Sequence, residues 1–294
     1  MTGSPRIAIV GTGPVARALG LAFRAGGGTV AVVVSRDAGR AADLASACAA
    51  AGSTDIVSAV AADVILVCVP DRAIAEVGAR LAVSVGSPGP VILHTSGALP
   101  GSALSATSAP GRLRAGSLHP LQSFPAGQAG ADSDRRLAAS VPGTHWFHEG
   151  EGAAESRALV DTWRGHFHAL APGGKVLYHA GAAMVSNHAV ALFADATRLL
   201  AVAGVAPDAS RAALATLLEG TLANLRAVGV PDALTGPVAR GDVATVRGHV
   251  EALRAAAPEL LDADRVMARR AIVVAVEKGT IDEIAAQSLA SVLG

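Results

Sequence analysis

The stretch RIAIVGTGPVA, residues 6–16, restricts the fold more than any other part of the chain. An apolar run of strand character leads directly into Gly11, Thr12 and Gly13, and Ala16 follows three positions after the second glycine. In this G-x-G-x-x-A pattern the first glycine permits a tight turn, the second lets a diphosphate approach the backbone, and the small last residue lets the next helix pack closely. The pattern therefore predicts a strand, a turn and a helix N-terminus that bind a dinucleotide. The residues expected to contact it are Gly11, Thr12, Gly13, Pro14 and Val15.

The end of the second apolar run, VVVSRD, indicates which dinucleotide is bound. An acidic residue usually ends this strand in NAD-binding proteins, because it binds the ribose hydroxyls. Here Ser35 and Arg36 stand at that position, and a hydroxyl and a guanidinium suit the 2′-phosphate of NADP. Asp37 is the competing acid, but its position favours capping the next helix. We predict NADP rather than NAD; the alternative is that Arg36 is only a solvated surface residue.

Alternating apolar and alanine-rich segments predict the fold class. Apolar runs lie at 6–10, 29–34, 63–69, 90–94 and 113–119, with helical stretches between the first four. The central runs are apolar throughout, which is typical of strands covered on both faces in a parallel sheet. The first half of the chain is therefore predicted to be an α/β domain with a doubly wound, mostly parallel sheet.

A Pro-Gly-Gly segment at 172–174 separates this pattern from a second half that reads almost entirely as helix. We predict a dinucleotide-binding domain over 1–171 and an all-helical domain over 172–294.

The overall composition excludes several classes of partner. The 294 residues include 24 basic and 24 acidic side chains, so no positive surface for nucleic acid is expected. No basic amphipathic segment or long uninterrupted apolar helix favours a membrane. The chain starts directly in a strand pattern, and its two cysteines are widely spaced, so we expect free thiols and a cytoplasmic protein.

Polar residues follow the strands at the edge of the sheet where open α/β folds bind ligands. Val69 and Pro70 end one strand, and Thr95 and Ser96 follow the next, so all four are expected to border the cofactor. His119, with Ser117 and Gln122 nearby, ends the strand after that. An imidazole at this edge could exchange a proton with a carbonyl or hydroxyl group. The alternative for His119, and more so for His94, is a hydrogen-bonded structural histidine.

The helical half begins with a polar stripe on an otherwise apolar helix. Lys175, His179 and Ser186 fall within about 40° of one another at 3.6 residues per turn, and Asn187 lies at the edge of that stripe. Such a stripe is expected to line a pocket, with Lys175 donating a proton to a developing alkoxide; the alternative is a buried polar network between helices.

A later loop, LTGPVARGD, offers Thr235 and Arg240 for an anionic substrate group, unless Arg240 is solvated and Asp242 only caps a helix. The histidine pairs His145/His148 and His166/His168 lack acidic or cysteine partners nearby in the sequence, so no metal site is predicted.

Taken together, these motifs resemble one family. GTGPVA, VVSRD, VCVPD, HTSGAL, SLHPLQSF, the Lys175–His179 helix start with Ser186–Asn187, and LTGPVARGD are similar to the Rossmann-like family with a C-terminal domain of unknown function. That family lies within the superfamily of 6-phosphogluconate dehydrogenase-like and ketopantoate reductase-like proteins. The resemblance implies NADP-linked redox chemistry on a small, often anionic substrate, and a helical second domain that forms a homodimer.

The resemblance also bears on two site residues. Lys175 matches the catalytic lysine of β-hydroxyacid dehydrogenases, although His179 replaces the asparagine that follows one turn later. His119 matches the histidine of the His-Pro segment in prephenate dehydrogenases, which contacts the substrate hydroxyl. The ring-binding arginine pattern of those enzymes is not evident here.

These observations lead us to expect an NADP-dependent oxidoreductase that moves a hydride between nicotinamide and a small carbonyl, imine or hydroxy compound in the cleft between its domains. His119 or Lys175 would handle the proton, and Ser96, His179 and Asn187 would position the substrate. Two alternatives remain open: a non-catalytic NADP-binding sensor, and an oxidoreductase linked to a deazaflavin cofactor.

Overall fold

The computed structural model describes residues 4–86, 88–106, 109, 111–124 and 130–294. The chain divides into two compact units, Met1–Ser186 and Asn187–Gly294. The first helix after the Pro-Gly-Gly segment thus packs with the first unit, whereas the sequence pattern assigned it to the second domain. The boundary between 171 and 172 stays a prediction, because packing alone does not define a domain. Within the described residues, no helix is long and apolar enough to cross a membrane.

The first unit is built on one eight-stranded sheet. Its strands are β1 (Arg6–Val10), β2 (Thr29–Val34), β3 (Ala51–Ser53), β4 (Val64–Val67), β5 (Val91–His94), β6 (Arg114–Pro120), β7 (His145–Gly150) and β8 (His166–Ala169). They lie in the order β3-β2-β1-β4-β5-β6-β7-β8, and every neighbouring pair is parallel except β6 and β7. The predicted doubly wound, mostly parallel α/β sheet is confirmed.

Six α-helices accompany these strands: α1 (Pro14–Ala25), α2 (Ala38–Ala47), α3 (Ile74–Ser84), α4 (Ala131–Ala139), α5 (Ala153–Thr162) and α6 (Lys175–Val185). Successive strand residues point to opposite faces, so Ile7 and Ile9 join one apolar core while Ala8 and Val10 join the other. Both faces are therefore covered, which explains why the central strands are apolar throughout.

The second unit is entirely helical where it is described, as predicted. Its helices are α7 (Asn187–Val202), α8 (Pro207–Val228), α9 (Val243–Ala256), α10 (Leu261–Lys278) and α11 (Glu283–Leu293). The core lies mainly among α9, α10 and α11 and includes Val246, Val250, Ile272 and Leu289. Asp242 caps α9 by accepting a hydrogen bond from the Thr245 N–H at 3.0 Å, in agreement with the simpler interpretation of that residue.

The topology determines where a ligand can bind. Because β1 and β4–β6 are parallel, their carboxyl ends meet at one edge of the sheet. This edge brings together the glycine turn after β1, Val69–Pro70 after β4, Thr95–Gly97 after β5 and the end of β6 at His119–Pro120. The order reverses between β1 and β4, and such a switch point is where open α/β sheets hold their ligands.

Candidate cofactor and active site

The glycine turn at residues 11–13 combines a crowded position with an open one. Gly11 has φ +115°, and a Cβ built there would lie 2.2 Å from the carbonyl oxygen of Cys68, so only glycine fits. Gly13 has ordinary backbone angles, and a Cβ built there would meet no atom within 4 Å among the described residues. The open space above Gly13 adjoins the N-terminus of α1, whose first N–H groups suit a diphosphate.

A cavity of about 300 Å³ opens at this turn. Seven of the eleven predicted cofactor residues line it: Gly11, Thr12, Gly13, Ser35, Arg36, Val69 and Pro70. Pro14, Val15, Thr95 and Ser96 are not among its lining residues, so their contact with a cofactor stays a prediction. The cavity also includes residues that the sequence pattern did not identify, among them Arg40, Thr54, Glu76 and Arg80.

Three arginines give the cavity a positive rim. Arg36 follows β2, Arg40 lies in the first turn of α2, and Arg80 lies on α3. Asp37 does not compete for a ribose in this structure, because its carboxylate caps α2 by accepting from the Arg40 N–H at 3.1 Å. Arg36 and Arg40 lie on either side of the Asp37 cap, so the start of α2 brings both arginines to the same cavity.

His94 and Ser96 are used within their own loop. The His94 side chain is fully buried; its Nε2 lies 2.9 Å from the Pro100 carbonyl oxygen, and its Nδ1 accepts from the Ser96 N–H. Burial lowers the pKa of His94 to about 4, so the ring is neutral. The Ser96 hydroxyl oxygen accepts hydrogen bonds from the N–H groups of Ala98 and Leu99. The structural alternative for His94 is therefore favoured, and Ser96 stabilises a turn.

His119 is held by a residue that the sequence analysis missed. The Tyr178 hydroxyl lies 2.6 Å from Nδ1 of His119. Burial raises the pKa of Tyr178, and burial together with the charges on Lys175, His179 and His94 lowers the pKa of His119 to about 3. The imidazole is neutral and Tyr178 keeps its proton, so either group can be the donor of this bond, and we assign the hydroxyl as the donor to Nδ1. In this assignment the proton of His119 resides on Nε2, which is then a hydrogen-bond donor.

Gly97 allows His119 and His179 to converge. A Cβ built on Gly97 would lie 2.6 Å from Nδ1 of His179 and 2.8 Å from Nε2 of His119. Both distances are too short for a real side chain, so a residue other than glycine would displace the two rings. The loop after β5, the end of β6 and helix α6 thus bring two imidazole nitrogens to one point.

Lys175 is the only residue of α6 whose side chain is buried in this structure. Its exposed fraction is 2%, and its Nζ has no hydrogen-bond partner in the described part of the chain. Burial lowers the pKa of Lys175 to about 8, and the more distant carboxylates of Glu149 and Asp71 oppose that shift. Glu149 already accepts from the Gly101 N–H at 2.6 Å. Lys175 therefore takes no part in the buried polar network that was the alternative for this stripe, as far as the described residues show.

The other predicted substrate residues lie in different surroundings. Ser117 is buried within β6 near the Glu149 carbonyl oxygen, and the exposed side chain of Gln122 bonds to backbone groups nearby. Ser186 ends α6 and Asn187 begins α7, so the predicted polar stripe is interrupted by a break in the helix.

Asn187, Thr235 and Arg240 belong to the second unit, and their part in the site stays a prediction, as does binding between the domains. Of the histidines considered for metal binding, His145 and His168 contact each other, with Nδ1 and Nε2 2.8 Å apart, and His148 lies 3.0 Å from the Ser156 hydroxyl.

Comparisons with known proteins agree with this arrangement. Residues 6–95 match the family described as NADP oxidoreductase, coenzyme F420-dependent, and residues 147–271 match the domain of unknown function DUF2520. Among curated proteins, no match to the sequence is found.

Several solved structures share the fold. A Bacteroides fragilis protein described as an NADP oxidoreductase is 21% identical, with 92% of this chain and 98% of that one covered at a TM-score of 0.68. A reductive aminase from Aspergillus terreus, in complex with NADPH4, cyclohexanone and allyl amine, is 17% identical, with coverage of 99% and 93% and a TM-score of 0.59. Pyrroline carboxylate reductase from Plasmodium falciparum, with NADP bound, is 10% identical, with coverage of 99% and 98% and a TM-score of 0.61.

At these identities the likeness shows a common fold, whereas the two family matches cover strands β1–β5 and much of the C-terminal half. The resemblance inferred from the motifs is confirmed: residues 6–95 match the family of NADP oxidoreductases described as coenzyme F420-dependent, and residues 147–271 match the DUF2520 family.

Proposed function

We propose that this protein is an NADP-dependent oxidoreductase that interconverts a small carbonyl or imine compound and its reduced form. The observation that carries the proposal is the cavity at the glycine turn, which combines open space above Gly13 with Arg36 and Arg40 on its rim. Helix N–H groups suit the diphosphate, and two guanidinium groups suit a 2′-phosphate. The NADP oxidoreductase family match over the same segment supports this choice of cofactor.

When bound, NADPH supplies the hydride, and the residues of the chain have to bind, polarise and protonate the substrate. His119 is neutral and presents an Nε2–H, so it serves as a hydrogen-bond donor to a carbonyl oxygen rather than as a source of protons. Lys175 carries a proton that burial makes easier to release, because its pKa is lowered to about 8. We therefore assign proton delivery to Lys175 and orientation of His119 to Tyr178.

Two candidate redox partners of NADP, a small organic compound and a deazaflavin, have to be distinguished, because the matched family is described as coenzyme F420-dependent. Coenzyme F420 is a deazaflavin, and an enzyme of that type would pass a hydride between it and NADP rather than to a small organic substrate. Absorbance changes of NADPH with a small carbonyl or imine compound, and of NADPH with an oxidised deazaflavin, separate these two reactions, and NADPH alone is the blank. A protein that binds NADPH tightly but turns over with neither class would instead be a sensor.

Calorimetric titration of the protein with NADPH and NADH tests the cofactor assignment. NADPH is expected to bind more tightly, and Arg36→Ala with Arg40→Ala is expected to weaken NADPH binding by about 10–100-fold while leaving NADH binding almost unchanged. Arg72→Ala, an exposed arginine that does not line the cavity, is the matched control. Equal affinity for both coenzymes, or no heat with either, would contradict the proposal.

We further propose that two copies of the chain form a homodimer through the helical unit. Helix α7 has no buried side chain and α8 has one, Ser210, in the structure of a single chain. Apolar residues such as Val190, Leu217 and Leu222 are exposed to 71%, 68% and 44% on these helices. Apolar surfaces of this extent are unusual on monomeric proteins and are typical of obligate interfaces.

A further inference from the structure

The unpaired ammonium of Lys175 restricts the charge of the substrate. Its Nζ is buried, and in the described part of the chain it has neither a hydrogen-bond partner nor a salt-bridge partner within 4.0 Å. A buried charge is strongly unfavourable unless it is paired, and buried unpaired groups are rare in folded proteins. In the described part of the chain the ammonium is offered only the Tyr178 ring, whose centroid lies 5.9 Å from Nζ, so a negative group from outside the chain would stabilise ionised Lys175.

The neighbouring side chains do not supply that negative charge. Among the described residues no carboxylate lies within 4.0 Å of Nζ: Glu149, whose Oε2 accepts from the Gly101 N–H, and the exposed Asp71 act on Lys175 only at longer range. His94 and His119 are both neutral, with their ring nitrogens directed to Pro100, Ser96 and Tyr178. Lys175 is thus a buried cation near two neutral imidazoles, and no described carboxylate is in contact with it.

We infer that the substrate is an oxo or hydroxy compound that also carries a carboxylate, which pairs with the Lys175 ammonium. The same ammonium exchanges the proton with the neighbouring carbonyl or hydroxyl oxygen, and His119 donates a hydrogen bond to that oxygen. An iminium substrate is disfavoured, because it would bring a second positive charge next to an ammonium without a partner. This inference rests on the proposed oxidoreductase function, and it selects among the substrate classes which that function leaves open.

Matched pairs of small probes test the inference in the presence of saturating NADP⁺. Propionate and propionamide, and benzoate and benzamide, have nearly the same shape but differ in charge; propylamine and benzylamine supply the cationic members. Calorimetric titration is expected to show that at least one carboxylate binds ten times more tightly than its amide, and that the amines do not bind.

Two lysine variants test whether Lys175 causes the preference for a carboxylate over its amide. Lys175→Met is expected to bind the carboxylate and its amide with equal affinity while keeping its affinity for NADP⁺, which shows that the cofactor site is intact. Lys278→Met makes the same chemical change in the second unit, where Lys278 contacts the carbonyl oxygens of Asp232 and Leu234, and should keep the preference. If Lys175→Met does not fold, wild-type protein titrated at pH 7 and pH 9.5 replaces it, because the preference should decline as Lys175 loses its proton.

The outcomes separate the two proposals. Absence of NADP⁺ binding by the wild-type protein contradicts the proposed function itself. If NADP⁺ binds normally, the substrate inference is overturned when carboxylate and amide bind with equal affinity or when an amine binds more tightly. It is also overturned when the preference for the carboxylate survives Lys175→Met or does not change with pH.

Discussion

Lys175 lowers the stability of the folded chain, because its charge is buried near the edge of the sheet. Its pKa falls from 10.5 to about 8 on folding, and each pKa unit corresponds to about 1.4 kcal/mol, so burying the ammonium costs roughly 3 kcal/mol. Methionine has a similar length and carries no charge. We predict that Lys175→Met raises the free energy of unfolding at pH 7 by about 1–3 kcal/mol, as is common for residues retained for function.

Urea denaturation of both proteins at several pH values measures this effect. The folded form binds its proton less tightly than the unfolded form, so wild-type stability should rise between about pH 8 and pH 10.5 relative to Lys175→Met. The gap between the two proteins should therefore close over that interval. A variant that is less stable than wild type at pH 7 would show that Lys175 has a structural partner instead.

Residue positions could be predicted better than residue roles. The position of His119 at a strand end and the polar character of Lys175 are visible in the sequence. The hydrogen bond that orients the His119 ring joins it to Tyr178, 59 residues later, and no local sequence pattern predicts that contact. His94 and Ser96 are polar residues at a strand end, as a site residue would be, yet their side chains form hydrogen bonds with the backbone of their own loop.

At the scale of the elements, the two glycines in the turn between β1 and α1 have different roles: Gly11 is needed for the fold, and Gly13 is expected to be needed for cofactor binding. Gly11 needs a positive φ and contacts the Cys68 backbone, so Gly11→Ala is expected to destabilise the sheet by at least about 2 kcal/mol. Gly13 has φ −73° and open space above it, so Gly13→Val should change stability by less than about 1 kcal/mol. The branched side chain would, however, occupy the space expected for the diphosphate.

Thermal denaturation and NADPH titration of both variants test this separation. Gly13→Val should unfold close to the wild-type temperature while losing at least roughly tenfold in NADPH affinity. Gly11→Ala should unfold at a clearly lower temperature. Undiminished NADPH binding by Gly13→Val would place the cofactor elsewhere.

The elements that could be predicted are those in which the pattern of apolar residues follows from which faces are buried. The central strands are apolar throughout because helices cover both faces of the sheet. Strand β3 has only the residues Ala51, Gly52 and Ser53, and it forms because its backbone pairs with β2 rather than because of side-chain preference. The break between α6 and α7 was missed because Ser186 and Asn187 lie in a helix-compatible stretch, 182–203, that contains neither proline nor glycine.

At the scale of the whole molecule, the exposed apolar surface of α7 and α8 accounts for the proposed homodimer. Two copies of α8 packed antiparallel would place Asp208, which also pairs with Arg211 on its own helix, near Arg226 at the last turn of the partner subunit's α8. Leu217 and Leu218 lie near the middle of α8, where such a pairing would bury them. Opposite charges at the ends and leucine at the centre make a second copy a better occupant than an unrelated protein.

Sedimentation equilibrium tests the dimer directly. Wild-type protein should sediment at about twice the chain mass of 29.1 kDa. Leu217→Glu with Leu222→Glu should give a monomer, because two carboxylates would be buried without partners in the interface. Val83→Glu introduces the same change at an 83%-exposed apolar residue on α3 of the first unit and should leave the mass unchanged. A wild-type monomer, or a dimer that persists in the double variant, would rule out α8 as the contact, since its central leucines would then remain in water.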